Sequence, residues 1–166
     1  ELVISGKGPM TDYRAGESPF FLSDVEKVTI EKGVTTIGSF AFEGCRINSI
    51  VIPDSIESIG NRAFIDCDRL EEIILPDSIS TIDEYAFFGC EKLKSVILPK
   101  NLIQLGKFAF SDNMSLQSVI IPSNLKSITE NAFSSCSELK EVFISGDVVN
   151  IRAIGNSHYY NAGCGS

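Results

Sequence analysis

Ala86-Phe87-Phe88-Gly89-Cys90-Glu91-Lys92-Leu93-Lys94-Ser95-Val96-Ile97-Leu98-Pro99 contains a pattern that the chain writes five times. Ala-Phe returns at Ala41-Phe42, Ala63-Phe64, Ala109-Phe110 and Ala132-Phe133, so successive pairs lie 22, 23, 23 and 23 residues apart. Three residues after each Phe stands Cys45, Cys67, Cys90, Asn113 or Cys136. Next come Ile47, Leu70, Leu93, Leu116 and Leu139. The apolar triplets Ile50-Val51-Ile52, Ile73-Ile74-Leu75, Val96-Ile97-Leu98, Val119-Ile120-Ile121 and Val142-Phe143-Ile144 follow. Proline closes four of them, at Pro53, Pro76, Pro99 and Pro122, and Ser145 takes its place in the fifth. A period of this length is that of a repeat whose units cannot bury an apolar face alone and must stack into a solenoid.

Each repeated position has a physical role. Val96 and Leu98 are two apart and share one face of a strand, so Ile97 between them points the other way. Proline lacks the amide hydrogen that a parallel ladder uses, and it ends the strand. The pairs Ile56/Ile59, Ile79/Ile82, Leu102/Leu105 and Leu125/Ile128 then return apolar side chains to the interior from the opposite wall. Ala86, Cys90 and Leu93 have the i, i+4, i+7 spacing of one helical face, which predicts a short helical or 3₁₀ turn over Ala-Phe-x-x-Cys. Its Ala lets neighbouring coils approach, and its Phe adds one rung to an aromatic spine. Parallel coils stack roughly 4.8 Å apart, so five to six of them give a core about 25–30 Å long.

Working outward, residues 1–24 are expected to form an N-terminal cap, with Leu2-Val3-Ile4-Ser5-Gly6 as a strand running into a turn. Residues 25–151 form the array of about five to six coils, opened by a partial coil at Val28-Thr29-Ile30, Val34 and Ile37. Val148-x-x-Ile151 keeps the register, and residues 152–166 are a C-terminal cap or a truncated repeat.

Composition bounds the function. Hydrophobic residues make up 43% and charged residues 22%, as in a folded domain rather than a disordered chain. Twenty-two carboxylates against 14 Lys and Arg give a net charge of −8, which argues against nucleic acid, since phosphate binding needs clustered bases. No run approaches the roughly 20 apolar residues of a membrane span. No basic leader ending in small residues opens the chain, so an export signal is expected to have been removed or to lie outside it.

The residues that could carry chemistry are sparse. Four cysteines share one interior ladder position without the short C-x-x-C spacing of a metal site, and side chains stacked in parallel register make poor disulfide geometry. They read as small buried hydrophobes, whereas Cys164 is out of register and is expected to be exposed. The single histidine, His158, has no neighbouring nucleophile and acid, so no catalytic residue is assigned. No cofactor is expected, and the acidic residues lack calcium-loop spacing. Asn113-Met114-Ser115 matches a glycosylation sequon but falls at the core turn. Gly60 and Gly106, at one repeat position, are expected to serve a turn.

The outward strand positions say more. Thr29, Val51, Ile74, Ile97, Ile120 and Phe143 align into one apolar stripe, beside a second row of Ser49, Glu72, Ser95, Ser118 and Glu141. A contiguous exposed apolar patch on a solenoid sheet marks a partner-binding surface, and Phe143 is its aromatic anchor. β-branched residues also favour strands for their own sake, so structural filler is the competing account. The candidate partner-binding set is Val51, Ile74, Ile97, Ile120, Phe143, Glu72 and Glu141.

The unit Leu93-Lys94-Ser95-Val96-Ile97-Leu98-Pro99 … Leu105-Gly106-x-x-Ala109-Phe110 resembles the BspA-like leucine-rich repeat family, and Leu2-Val3-Ile4-Ser5-Gly6-x-Gly8-x-Met10-x-Asp12-Tyr13 resembles the segment that often precedes its first repeat. The resemblance covers roughly residues 1–151, with a one-residue deletion in the first full repeat, Asn113 for Cys and Ser145 for Pro as departures. It implies a leucine-rich-repeat solenoid, a β-rich right-handed superhelix of parallel strands. It further implies a non-enzymatic, secreted or cell-surface protein that takes part in adhesion to host matrix proteins such as fibronectin and fibrinogen, or to other cells. A passive spacer within a larger surface protein is the alternative, and an enzyme with an unrecognised site is a weaker one.

Overall fold

The computed structural model describes residues 1–129 and 131–145, and the main chain alone of 150–151. It is a parallel β-solenoid. The first strand of each coil carries the apolar triplet: Lys27–Ile30, Ser49–Val51, Ser95–Ile97, Ser118–Ile121 and Glu141–Ile144. The second strand lies on the other wall: Val34–Ile37, Ser58–Ile59, Thr81–Ile82, Gln104–Leu105 and Ser127–Ile128. On the first wall the strands form two three-stranded sheets, and on the second wall five strands from Gly8–Pro9 to Gln104–Leu105 run unbroken. The expected strand at Ile73-Ile74-Leu75 is absent, so the first wall divides there. Between the walls, the carbonyls of Pro53, Pro76, Pro99 and Pro122 accept the N–H three residues on, turning the chain from one wall to the next.

Residues 1–24 are in register with the array. Leu2–Ile4 pairs with Val28–Ile30, and Gly8–Pro9 pairs with Val34 and Thr36. Phe20 stacks on Phe42 at 5.8 Å, although no Ala precedes it to reveal the position. The spine therefore contains six rings, Phe20, Phe42, Phe64, Phe87, Phe110 and Phe133, with centroids 4.9–5.8 Å apart and planes within 17°. Such near-parallel rings fill the interior at about the coil spacing.

The Ala-Phe-x-x-Cys segment takes the 3₁₀ form of the expected turn and not an α-helix. Ala41 N–H reaches Gly38 C=O and Cys45 N–H reaches Phe42 C=O, the i→i−3 bonds of a 3₁₀ turn. Positive φ at Phe40 and Gly44 interrupts them, and Arg62, Tyr85, Phe108 and Asn131 repeat the first of these breaks. The left-handed residue frees alternate N–H groups to point along the stack: Phe42, Phe64, Phe87 and Phe110 each donate to the Ala carbonyl of the following coil at 2.8 Å. A helix would have used those donors internally. Among the described residues no helix is long and apolar enough to cross a membrane.

The cysteine position completes the ladder. Cys45, Cys67, Cys90 and Cys136 donate their thiol hydrogens to the carbonyls of Phe20, Phe42, Phe64 and Phe110 at 2.8–3.3 Å. Asn113 replaces cysteine without loss of the bond, since its Nδ2 donates to Phe87 C=O at 2.9 Å. Its Oδ1 has no partner among the described residues, the kind of buried acceptor that costs about 1–3 kcal/mol. Asn113 is fully buried, so the folded chain offers no glycosylation site there. Gly60 and Gly106 are required for close approach rather than for a turn. A Cβ on Gly60 would stand 2.8 Å from Ser39 N, and one on Gly106 would overlap the Asp83–Glu84 backbone.

Phe87 is fully buried between two stacked rings, so Phe87→Ala is expected to lower unfolding free energy by about 3–5 kcal/mol. An unchanged denaturant midpoint would refute the spine. A second expectation concerns pH. Burial raises the thiols of Cys67, Cys90 and Cys136, the last from 9.0 to about 11. The folded chain thus holds these protons where the unfolded chain releases them. The Cys136 contribution to stability is complete below the unfolded thiol value and is lost as pH rises from 9.0 through about 11, and Cys67 and Cys90 add a loss of the same sign above 9.0. Chemical denaturation under reducing conditions across that window checks it, and a flat profile would contradict it.

Candidate binding face

Alternation along each first-wall strand fixes the face. In Ser95–Ile97, Val96 is buried while Ser95 and Ile97 point outward, and the same pattern holds for Ser49–Val51. Register then lines the outward side chains up: Val3, Thr29 and Val51 in one sheet, and Ile97, Ile120 and Phe143 in the other. Ile74 occupies the intervening coil. Val51 is 59% exposed, Ile74 83%, Ile97 64%, Ile120 36% and Phe143 43%, so all five stand outside the core despite their size. Val3 adds an exposed rung that sequence reasoning missed, because its coil carries no Ala-Phe marker.

Glu72 and Glu141 are exposed in the adjacent row with Ser49 and Ser95, while Ser118 is half-buried. Next to Glu72, Lys94 Nζ lies 2.6 Å from Glu71 Oε2. The hydrogen bond and charge of Lys94 hold the Glu71 carboxyl below its ordinary range, and Glu71 raises Lys94 in return. Three further ion pairs, Lys32–Asp54, Arg46–Asp24 and Lys100–Asp77, also join adjacent coils. All are solvent-exposed and screened by salt, so they align coils rather than drive folding.

A column the sequence reading overlooked lies on the turn side, two residues before each spine Phe. Arg62 sits 4.4 Å over the Tyr85 ring and 5.6 Å from that of Phe40, and Tyr85 stacks on Phe108 at 5.0 Å. These are the residues with φ of 54–58°, a region unfavourable to large side chains, and stacking along the array offsets that cost. The Arg62 guanidinium thus lies between the Phe40 and Tyr85 rings, and the Tyr85 ring between Arg62 and Phe108. The signal was present in the sequence as Phe40, Arg62, Tyr85 and Phe108 at one repeat position.

The four ladder thiols are buried and unbridged, each committed to a main-chain carbonyl of the preceding coil rather than converging on a point. Among the described residues no three His, Cys, Asp or Glu side chains come together as metal ligands would. Asp66 is raised by partial burial and then by Glu43, Glu91, Asp112 and Asp68 around it. His158 and Cys164 lie outside the described residues, as does the 152–166 segment.

The comparisons agree with this architecture. A crystal structure of a Treponema pallidum (T. pallidum) leucine-rich repeat protein superposes with a TM-score of 0.73 at 27% identity, covering 90% of this chain and 74% of that one. A leucine-rich cell surface protein of Faecalibacterium prausnitzii gives 0.74 at 33% identity, over 83% of this chain and 35% of that one. The pneumococcal vaccine antigen PcpA gives 0.72 at 29% identity, over 83% of this chain and 33% of that one. The chain thus spans about a third of the length of the latter two proteins. No curated protein matches it in sequence. The family model described as BspA type leucine-rich repeat region, in six copies, matches residues 14–140 and 57–165. Coil geometry, spine and family model lead to one conclusion: the chain belongs to the BspA-type leucine-rich repeat family.

Proposed function

We propose that the chain is a non-enzymatic recognition module of an extracellular or cell-surface protein, and that it mediates adhesion by holding another protein on its first wall. The observation that carries this reading is the in-register row of exposed Val51, Ile74, Ile97, Ile120 and Phe143. Folding does not need large apolar side chains at outward positions, since polar residues would preserve the buried alternation equally well. An apolar row of this kind stabilises a complex when a partner covers it. Glu72 and Glu141 would supply the polar edge, and Phe143 the largest single contact. Stacked coils fix these side chains before binding, which reduces the ordering cost of association. The descriptions of two structural relatives as a cell surface protein and a vaccine antigen support the surface location. The proposed partners are host matrix proteins or proteins of other cell surfaces.

A spacer role is the second reading. It is favoured by the end-to-end stacking of near-identical coils, which lengthens a rigid body without requiring a site. Binding of the chain to immobilised fibronectin, fibrinogen and mucin separates the two, with the Ile97→Glu/Ile120→Glu double variant as the comparison. The recognition reading predicts binding that weakens at least about tenfold in the folded double variant. Binding retained by that variant would move the site off the stripe. No binding by either protein would favour the spacer, or a ligand beyond those three.

A further inference from the structure

One rung of the first wall is tied to its neighbours on one side only. From Leu70 to Asp77, among the described residues, no hydrogen bond or ion pair reaches the preceding coil at Ile47–Asp54. Equivalent positions elsewhere are joined: Asn48 N–H to Glu26 C=O at 2.9 Å, Gln117 N–H to Lys94 C=O at 2.8 Å, and Lys140 N–H to Gln117 C=O at 3.0 Å. Among the described residues Ile73–Leu75 makes no ladder hydrogen bond to Ser95–Ile97 either, but toward that following coil the segment is latched at both ends. Lys94 N–H reaches Glu71 C=O at 3.2 Å and its Nζ reaches Glu71 Oε2. Lys100 binds Asp77 through its N–H and Nζ, and Asn101 Nδ2 donates to Asp77 C=O. Core packing loosens at this seam: Ile50 and Ile73 are each 8% exposed and Ile52 is only half-buried, against 2% for Val96 and Leu98. Across the same coil boundary the second wall is continuous, with Ser58 and Ile59 paired to Thr81 and Ile82. The turn side is continuous too, through Cys67 Sγ to Phe42 C=O and Phe42 N–H to Ala63 C=O.

We propose that the seam between Ser49–Val51 and Glu72–Leu75 is a hinge at which the first wall changes curvature to fit its partner. A sheet that is hydrogen-bonded on one wall and unbonded on the other bends about the bonded wall, because bending there breaks no hydrogen bond. Val51 and Ile74, two of the most exposed apolar side chains of the stripe, stand on opposite lips of the seam. Opening or closing it therefore sets the spacing of adjacent contacts in the middle of the recognition face. The functional meaning rests on the recognition reading, but the hinge itself is tested without ligand, so either can fail while the other stands.

Hydrogen exchange of the unmodified chain is the first test. The amides of Glu72–Leu75 are expected to exchange on the order of a hundredfold faster than the main-chain-bonded amides of Ser118–Ile121 and of Ile82 in the same coil. Equal protection would overturn the seam. Dipolar broadening between spin labels is the second test, comparing Ser49→Cys/Ser95→Cys, two rungs apart across the seam, with Ser95→Cys/Glu141→Cys, two rungs apart within one sheet. Cys164→Ser serves as the common background, and the ladder cysteines stay buried. The pair across the seam is expected to give the broader distance distribution. Equal widths would overturn the hinge even if exchange at Glu72–Leu75 is fast.

Discussion

The main chain of the spine phenylalanines is the constraint on which the rest depends. The N–H of Phe42, Phe64, Phe87 and Phe110 donates to the alanine carbonyl of the next coil, and the C=O of each accepts the thiol or amide of the ladder residue of the next coil. Phe42 and Phe64 also accept the cysteine N–H of their own coil, so a coil cannot rotate or slide without losing several bonds at once. The ring then falls on the ring below at about the strand spacing, and the walls are brought into parallel register by the same repeat. Cysteine suits the position because a small thiol both packs as a hydrophobe and donates a weak hydrogen bond. Asparagine also serves, as position 113 demonstrates, provided its amide nitrogen faces the carbonyl.

A stack held this way is one-dimensional, so each coil is stabilised by its two neighbours, and an end is a place of weakness. Leu2–Ile4 and Gly8–Pro9 carry the two walls on from Val28–Ile30 and from Val34 and Thr36. The interior seam at Glu72–Leu75 differs from an end. It interrupts one wall while spine and second wall continue past it.

Much of this was legible in the sequence because the period does the work of an alignment. The interior positions Phe42, Cys67, Leu93 and Val119 and the outward positions Ile74, Ile97 and Phe143 followed from spacing alone. Three features were not legible. The i, i+4, i+7 spacing of Ala86, Cys90 and Leu93 suggested a short helical or 3₁₀ turn, and i→i−3 bonds are present, but the left-handed residues such as Tyr85 that divert the backbone into bonds between coils are revealed by no local pattern. Phe20 and Val3 belong to a coil without the Ala-Phe marker, so their rungs became visible only through strand pairing. The seam could not be foreseen, because Ile73-Ile74-Leu75 reads like every other triplet and the missing bonds are tertiary.

The central claim is that the molecule is a register-locked stack in which one period is one interchangeable coil. Removing residues 88–110, a full 23-residue period, joins Phe87 to Ser111 and should leave every ladder position occupied. That shortened chain is predicted to unfold cooperatively, with a denaturant slope smaller by about one-sixth in proportion to the surface lost. Removing residues 88–98 instead shifts the walls out of phase and should abolish cooperative folding. If the full-period deletion is as disruptive as the partial one, the stack account is wrong.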